Sequence, residues 1–355
     1  SVPSFPAWRV ASIRTKRTHV PRMQVKLGTL TIPKMGMGTL NWPLDKRTDE
    51  NAAAALKACL DRGVDFFDTA EAYGFGRSEE LLADCAAKSG KPVIMATKFA
   101  PVPWRQKPSD VVDAAKASAS RLGVDSIDLY QIHFPDVIQP LSAFGLERRK
   151  DEEYWDGIAQ CYEMGLIKNV GVSNYGPKLL ARVINRLNER GVPLASNQIN
   201  YSLLYRKQGA QATVDFCAER NITVLGYFPL ANGLLAGKYS AENLPKGLKG
   251  KTMRKYVVGG VTERGIVYPE GGATPLLQEM QRIADERGKS VAQVALNYVI
   301  SKGVVPIPGC RNAQMAADNC GALDWSLDDG EVAALEDAAE SLGFEFSGGG
   351  FGLED

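Results

Sequence analysis

From Met35 onward the sequence alternates short apolar runs with stretches of helical periodicity, and this alternation limits the fold more than any other feature. Residues 49–62 (DENAAAALKACLDR) carry apolar side chains at helical spacing, with Thr48 placed to cap the helix and Gly63 to end it. Residues 64–67 form a short apolar strand ending in Asp68. Helix 78–88 precedes strand 92–97, which ends in Lys98. Ser109 is placed to cap a helix reaching Leu122 and Gly123, and strand 127–132 ends in His133. Helix 151–164 leads to strand 168–172 and Ser173-Asn174, and helix 177–189 to strand 194–199, which carries Gln198. Helix 209–220 leads to strand 222–226 and Tyr227, and helices 275–287 and 290–301 precede strand 304–307.

With residues 35–39 as the first, eight strands emerge, nearly all separated by helices. Regular crossover helices imply a parallel sheet, and eight units imply closure into an α/β (β/α)8 TIM barrel. A doubly wound open sheet would open on a glycine-rich strand–helix turn, and the chain contains no GxGxxG. Residues 23–39 read as two short strands joined by Leu-Gly-Thr, a hairpin, and then the first barrel strand. The expected organisation is a basic N-terminal extension over 1–22, one barrel over 23–340 and a glycine-rich flexible tail over 341–355.

Composition then excludes whole classes of function. The net charge of +1, from 42 basic and 41 acidic residues, points to neither nucleic acid nor a membrane surface. No apolar run reaches the roughly 18–20 residues of a membrane span. Six cysteines lie far apart without a CxxC pair, which reads as reduced thiols in a core. His19 and His133 are the two histidines, too few and too far apart for a metal set, so no metal is expected. The near-zero charge is itself a balance. Residues 1–44 hold seven Lys/Arg and no acid, leaving 35 basic against 41 acidic residues beyond them. Such a leader has the composition of a transit-peptide stub, and equally of a disordered arm able to dock a protein partner.

In a barrel of this kind chemistry sits at the C-terminal strand ends. That rule selects Asp68, Lys98, His133, Ser173, Asn174, Gln198 and Tyr227. A lone strand-end aspartate is often a helix cap and a lone histidine often a core residue; the joint placement of seven polar groups points to a site.

These residues stand in stretches that resemble the aldo-keto reductase superfamily from about Lys26 to Trp325. The most specific is Gly63-Val-Asp-Phe-Phe-Asp68-Thr-Ala-Glu-Ala-Tyr73-Gly, supported by Ala96-Thr-Lys98, Gln131-Ile-His133, Gly171-Val-Ser-Asn174, Asn197-Gln198, residues 227–238 and Ile307-Pro-Gly. Within the superfamily the chain is most similar to plant and algal plastid members, through residues 96–105 (ATKFAPVPWR), 171–177 (GVSNYGP) and 190–193. The resemblance implies interconversion of aldehydes or ketones with alcohols using NADPH/NADP+, a small-molecule carbonyl substrate and a chloroplast location, the cytoplasm being the alternative.

It also implies a catalytic tetrad of Asp68, Tyr73, Lys98 and His133. Hydride addition builds negative charge on the carbonyl oxygen, so a proton donor must lie within hydrogen-bond reach, and Tyr73 takes that place. A phenol of pKa ~10 parts with its proton reluctantly, and the Lys98 ammonium is expected to lower that value. Asp68 would hold Lys98 charged and in place, and His133 would orient the substrate oxygen. On the cofactor side Tyr227 would stack on the nicotinamide, Ser173, Asn174 and Gln198 would bind its carboxamide, and Gly38 and Thr39 would let backbone approach. The segment from Leu230 through Gly233 to Lys238 would lie over the pyrophosphate. Gly309, Arg311, Asn312, Gln314 and Asn319 would serve the adenosine end. Where relatives place a phosphate-gripping arginine this chain has Met315, and Arg311 is the substitute.

Other expectations concern loops. Phe228 adds bulk beside the cofactor channel. Residues 240–273 read as a long basic flap whose Lys246, Lys249, Lys251, Arg254 and Lys255 either clamp phosphates or face solvent. Trp42, Phe99, Trp104 and Phe134 are expected to form an aromatic mouth around the excursion over 136–150. The alternative function, from a different class, is an NADPH-binding regulatory subunit with little turnover, docking through the basic arm.

Overall fold

The computed structural model describes residues 24–42, 48–138, 149–207, 209–261, 267–346 and 353. Strands β1 (Gln24–Leu27) and β2 (Leu30–Pro33) pair as an antiparallel hairpin turning at Gly28 and Thr29. Gly28 has φ 55°, and a Cβ there would lie 2.1 Å from Asn169 Oδ1, so no other residue fits. That same oxygen accepts the Thr29 N–H at 2.8 Å and pins the turn to the barrel.

Eight parallel strands follow: β3 (Met37–Gly38), β4 (Phe66–Asp68), β5 (Ile94–Phe99), β6 (Leu129–Ile132), β7 (Val170–Ser173), β8 (Leu194–Asn200), β9 (Thr223–Tyr227) and β12 (Val305–Pro306). They are neighbours in chain order from β3 to β9, with β12 beside β9. Closure comes through Gly38, which bridges Gly309 and donates its N–H to Pro308 O at 3.0 Å. The barrel expectation therefore holds, hairpin included.

Helices α1 (Thr48–Leu60), α2 (Arg77–Ser89), α3 (Pro108–Leu122), α4 (Asp151–Glu163), α5 (Pro177–Asn188) and α6 (Ala210–Ala218) provide the crossovers between successive strands up to β9. Each presents one apolar stripe; α5 buries Leu179, Leu180, Val183 and Leu187, spaced as one helical face. The start of α3 differs from expectation. Asp110, not Ser109, satisfies the free donors there, accepting from Lys107 N at 2.9 Å and Gln106 N at 2.6 Å, while Pro108 takes the first turn. Inside the barrel, Leu27 and Ile32 of the hairpin pack with Phe66, Leu129, Ala195, Leu225 and Val305, so the hairpin seals the end opposite the strand C-termini.

Between β9 and β12 the described residues hold more regular structure than the composition suggested. It forms α7 (Gly247–Val257), the two-stranded β10 (Gly260–Val261) and β11 (Val267–Tyr268), then α8 (Thr274–Arg287) and α9 (Val291–Ser301). Helices α10 (Ala313–Cys320) and α11 (Asp329–Ser341) complete the shell. The expected flexible tail over 341–355 is corrected at its start. Phe344 and Phe346 pack on Tyr256 of α7 with ring centroids 5.6 and 4.6 Å apart, and Phe346 is buried. Burial of these two aromatic rings offsets the entropy of ordering residues 344–346. The triglycine 348–350 lies outside the described residues, as does the extension over 1–22. All six cysteines are free and buried.

Candidate active site

At the C-terminal strand ends lies a cavity of about 470 Å³. Strand register carries the central charges to its floor. Lys98 on β5 is fully buried, and Asp68 ends β4 beside it. An ammonium has three protons to place, and Lys98 Nζ places each one: on Asp68 Oδ2 at 2.6 Å, Thr69 O at 2.7 Å and Tyr73 Oη at 3.4 Å. Burial pushes the Lys98 amine down, but the Asp68 carboxylate and Tyr73 outweigh it and hold it above its ordinary value.

The expected effect on Tyr73 needs correcting. Lys98 does favour the phenolate, but burial works the other way and is larger, so the phenol stands above its ordinary value. The ammonium limits the cost of ionising a buried phenol without inverting it. Tyr73 itself is aimed by its loop. Glu71, two residues before it, accepts the Ala100 N–H at 2.7 Å and a two-pronged ion pair from Arg105, whose second arm reaches Oε2 at 3.1 Å. Tyr154 Oη in turn donates to Arg105 O at 2.7 Å. Arg105 of the ATKFAPVPWR stretch thus ties the Tyr73 loop to the end of β5 and to α4.

His133 follows β6, its ring edge-on to Tyr73 at 5.7 Å. Burial, helped by Lys98, pulls its pKa down to about 3, so the imidazole is neutral through the physiological range. Its Nδ1 is buried without a partner among the described residues. A sign follows for stability. The folded value lies below the unfolded value of about 6.5, so the unfolded chain binds the extra proton between those two pH values. Stability is fully present above about pH 6.5 and falls as pH drops toward about 3, by up to about 1.4 kcal/mol per pH unit. Melting curves from pH 7 to 4.5 should therefore fall more steeply for wild type than for His133→Gln.

The residues expected on the cofactor side are knit together. Asn174, at φ 68°, donates to His133 O and Ser173 Oγ, both at 3.1 Å, and accepts from Tyr227 Oη at 2.7 Å. Ser173 Oγ donates to Gln198 O at 2.8 Å. The loop after β9 is strained: Phe228, Ala231 and Asn232 all have positive φ, of 51°, 45° and 55°. Such backbone is kept where a surface must be held for use.

Most of the sequence-selected residues line this cavity: Gly38, Asp68, Tyr73, His133, Ser173, Asn174, Gln198, Tyr227, Leu230, Gly233, Lys238, Gly309 and Arg311, with Lys98 directly beneath. Four do not. Thr39 is buried and bonded to Ser78 Oγ at 2.7 Å; Asn312 caps α10 through the Met315 N–H at 2.9 Å. Gln314 points to solvent, and Asn319 is buried, its Nδ2 unpartnered among the described residues. Phe228 and Met315 do form part of the wall. The aromatic mouth is not built as expected. Trp42, Phe99 and Phe134 are core residues, Trp42 donating to Cys310 O at 2.8 Å, and Trp104 stands 78% exposed away from the cavity. Nor do Lys246, Lys251, Arg254 or Lys255 reach the cavity wall; Lys255 lies over the Tyr256 ring at 4.7 Å. The side chain of Lys249 and the excursion over 139–148 lie outside the described residues. Asn41 and Tyr239 line the cavity without having been selected, since neither ends a strand nor falls in the stretches singled out for a role; Asn232, inside the 230–238 segment, lines it too.

Fold and site together define a strand-end pocket in which the Tyr73 phenol and a neutral imidazole stand over a buried ammonium. Residues 34–340 match the model of the aldo/keto reductase family, and the chain belongs to that family. It is 38% identical over 337 residues to the chloroplastic pyridoxal reductase of Arabidopsis thaliana, covering 90% of this chain and 87% of that protein. It is 26% identical to the aldo-keto reductase yakc of Schizosaccharomyces pombe, whose name carries NADP(+), covering 89% and 91% of the two chains. The solved glycerol dehydrogenase of Gluconobacter oxydans superposes with a TM-score of 0.73 at 24% identity, over 90% of this chain and 95% of that one.

Proposed function

We propose that this chain is an NADPH-dependent reductase of aldehydes and ketones, acting on a pyridoxal-like aldehyde in a plastid. The observation that carries the reading is the state of the hydroxyls around the cavity. The protons of Tyr227, Tyr239 and Ser173 are committed to Asn174 Oδ1, Asn232 O and Gln198 O. Tyr73 Oη receives from an ammonium that cannot accept, so among the described residues its proton is available to a ligand.

When bound, NADPH supplies the hydride for the carbonyl carbon, and its dinucleotide fits the cations of this cavity: Lys238 and Arg311 line the wall where phosphates need neutralising. Tyr73 then donates its proton to the substrate oxygen. Lys98 steadies the phenolate left behind, and Asp68 holds Lys98 in position. His133, being neutral, offers an N–H to the same oxygen without competing as the acid. Gln198, Ser173 and Asn174 would hold the carboxamide and Tyr227 the ring face. The plastid and pyridoxal elements rest on the 38% identical relative, and cofactor choice on the name of the 26% identical one.

The test is loss of NADPH absorbance with pyridoxal and a panel of aldehydes; NADPH binding without turnover on any of them would favour the regulatory-subunit reading. Arg311 is assigned to the 2′-phosphate. Arg311→Ala is expected to weaken NADPH binding roughly ten- to a hundredfold and leave NADH unchanged, the loss of a charge-assisted phosphate contact. Equal effects on both cofactors would remove that assignment.

A further inference from the structure

Beneath the cavity, Asp68 Oδ2 is taken by Lys98, and its other oxygen by two glutamine amides. Gln198 Nε2 donates to Asp68 Oδ1 at 2.8 Å and Gln131 Nε2 at 3.2 Å. Gln198 Nε2 also lies 3.4 Å from Gln131 Oε1. All three side chains are buried. A carboxylate only accepts hydrogen bonds, so both glutamines must turn their NH2 groups toward Asp68, which fixes the orientation of each amide.

Space has been left for this arrangement. Gln131 pairs in register with Lys98 on one side and Gly171 on the other. A Cβ at Gly171 would lie 2.7 Å from Gln131 Cγ and 2.5 Å from Ser196 Oγ. The missing side chain is what lets Gln131 lie across the barrel interior toward Asp68.

We propose that Gln131 is a positioning residue that locks Asp68 and Gln198 into one unit, coupling the proton-donor half of the site to its cofactor half. On the donor side, the carboxylate held by Gln131 is the one that orients Lys98 beneath Tyr73. On the cofactor side, Gln198 lines the cavity while Gln131 and Asp68 together hold its NH2 inward, so its carbonyl is the end turned to a ligand. Gln131 itself does not line the cavity and acts through its two neighbours. The cofactor half of this inference rests on the reading under Proposed function; the donor half does not.

The experiment uses Gln131→Met, which keeps length and removes both polar groups, with Gly171→Ala as a second variant that displaces Gln131 without altering it. Melting curves establish that each variant folds. NADPH affinity, read by quenching of protein fluorescence, is expected to weaken by roughly two- to tenfold in Gln131→Met, the range of one buried hydrogen bond. Because Gln131 acts through Gln198, Gln131→Met combined with Gln198→Met should be no weaker than Gln198→Met alone. The second readout needs no cofactor: an ultraviolet titration of the Tyr73 phenol, taken as the difference from Tyr73→Phe. Tyr73 is faced by Asp68 from β4, Lys98 from β5, His133 after β6 and Tyr227 of β9. With one donor removed from Asp68, its negative field at Tyr73 grows, and the phenol should titrate higher by roughly half to one pH unit. Unchanged NADPH affinity, effects of Gln131→Met and Gln198→Met that multiply, or an unmoved phenol titration would each overturn the proposal. A wild-type chain that binds no NADPH would instead sink the proposed function, and the phenol titration alone would then decide the role of Gln131.

Discussion

Tyr73→Phe is expected to lower kcat for aldehyde reduction by about 10²–10⁴-fold while NADPH affinity stays at its wild-type value, the range for loss of a positioned proton donor. The change deletes one oxygen from a ring that packs against His133 and sits 5.0 Å from Lys98 Nζ, so the cavity wall keeps its shape. What is lost is the hydroxyl whose proton no described residue accepts, and the acceptor of the third Lys98 N–H. Binding and turnover should therefore separate cleanly, by fluorescence quenching against steady-state rates. A Tyr73→Phe enzyme retaining more than about a tenth of wild-type kcat would show that another group, or water, delivers the proton.

Lys98→Met should show its largest effect on stability. Both partners of the Lys98–Asp68 pair are essentially without solvent contact, with side chains 0% and 3% exposed. Removing one partner leaves a buried carboxylate uncompensated, which typically costs about 3–5 kcal/mol. Urea unfolding is expected to show that loss for Lys98→Met. The double variant Asp68→Asn/Lys98→Met should recover most of it, because no lone charge remains inside. Reductase activity should not recover with it, since the ammonium behind Tyr73 is still missing. Recovery of stability without activity would mark the pair as kept for chemistry. A double variant as unstable as Lys98→Met would mean that hydrogen bonding to Thr69 and Tyr73, not charge balance, sets the energetics.

These expectations differ in how far the residues alone could support them. Asp68, Lys98 and His133 were readable because each terminates a short apolar run, and a parallel barrel brings strand C-termini to one face whatever the loops do. Tyr73 needed the resemblance, since nothing local says that a loop tyrosine five residues past a strand folds back over the mouth. The structure supplies the local cause in the Glu71–Arg105 tie. Gln131 stands in the Gln131-Ile-His133 stretch that supports the resemblance, but no role for it was legible because Leu-Tyr-Gln-Ile looks like an ordinary buried strand. Its role depends on a glycine forty residues later in register beside it. The misplaced aromatic mouth has the same origin: Trp42 and Phe99 lie near strand ends in sequence, but Trp42 packs on Phe67 and bonds Cys310, and Phe99 packs on Tyr154 of α4. In the 240–273 segment the solvent-facing alternative fits Lys246, Lys251 and Arg254, which are exposed; its helix was not legible because α7 packs through Tyr256 on Phe344 and Phe346, nearly ninety residues away.

By itself the sequence determined the number and order of the strands, and hence the closed barrel, its sealing hairpin and the polar groups at its mouth. These follow from local periodicity and from the rule that crossovers align parallel strands. Only the tertiary structure decided which of those groups touch, which way their amides face and how far burial outweighs a neighbouring charge. Hydrogen-bond geometry and desolvation depend on distances of a few tenths of an ångström between residues far apart in the chain, and no pattern along the chain encodes them.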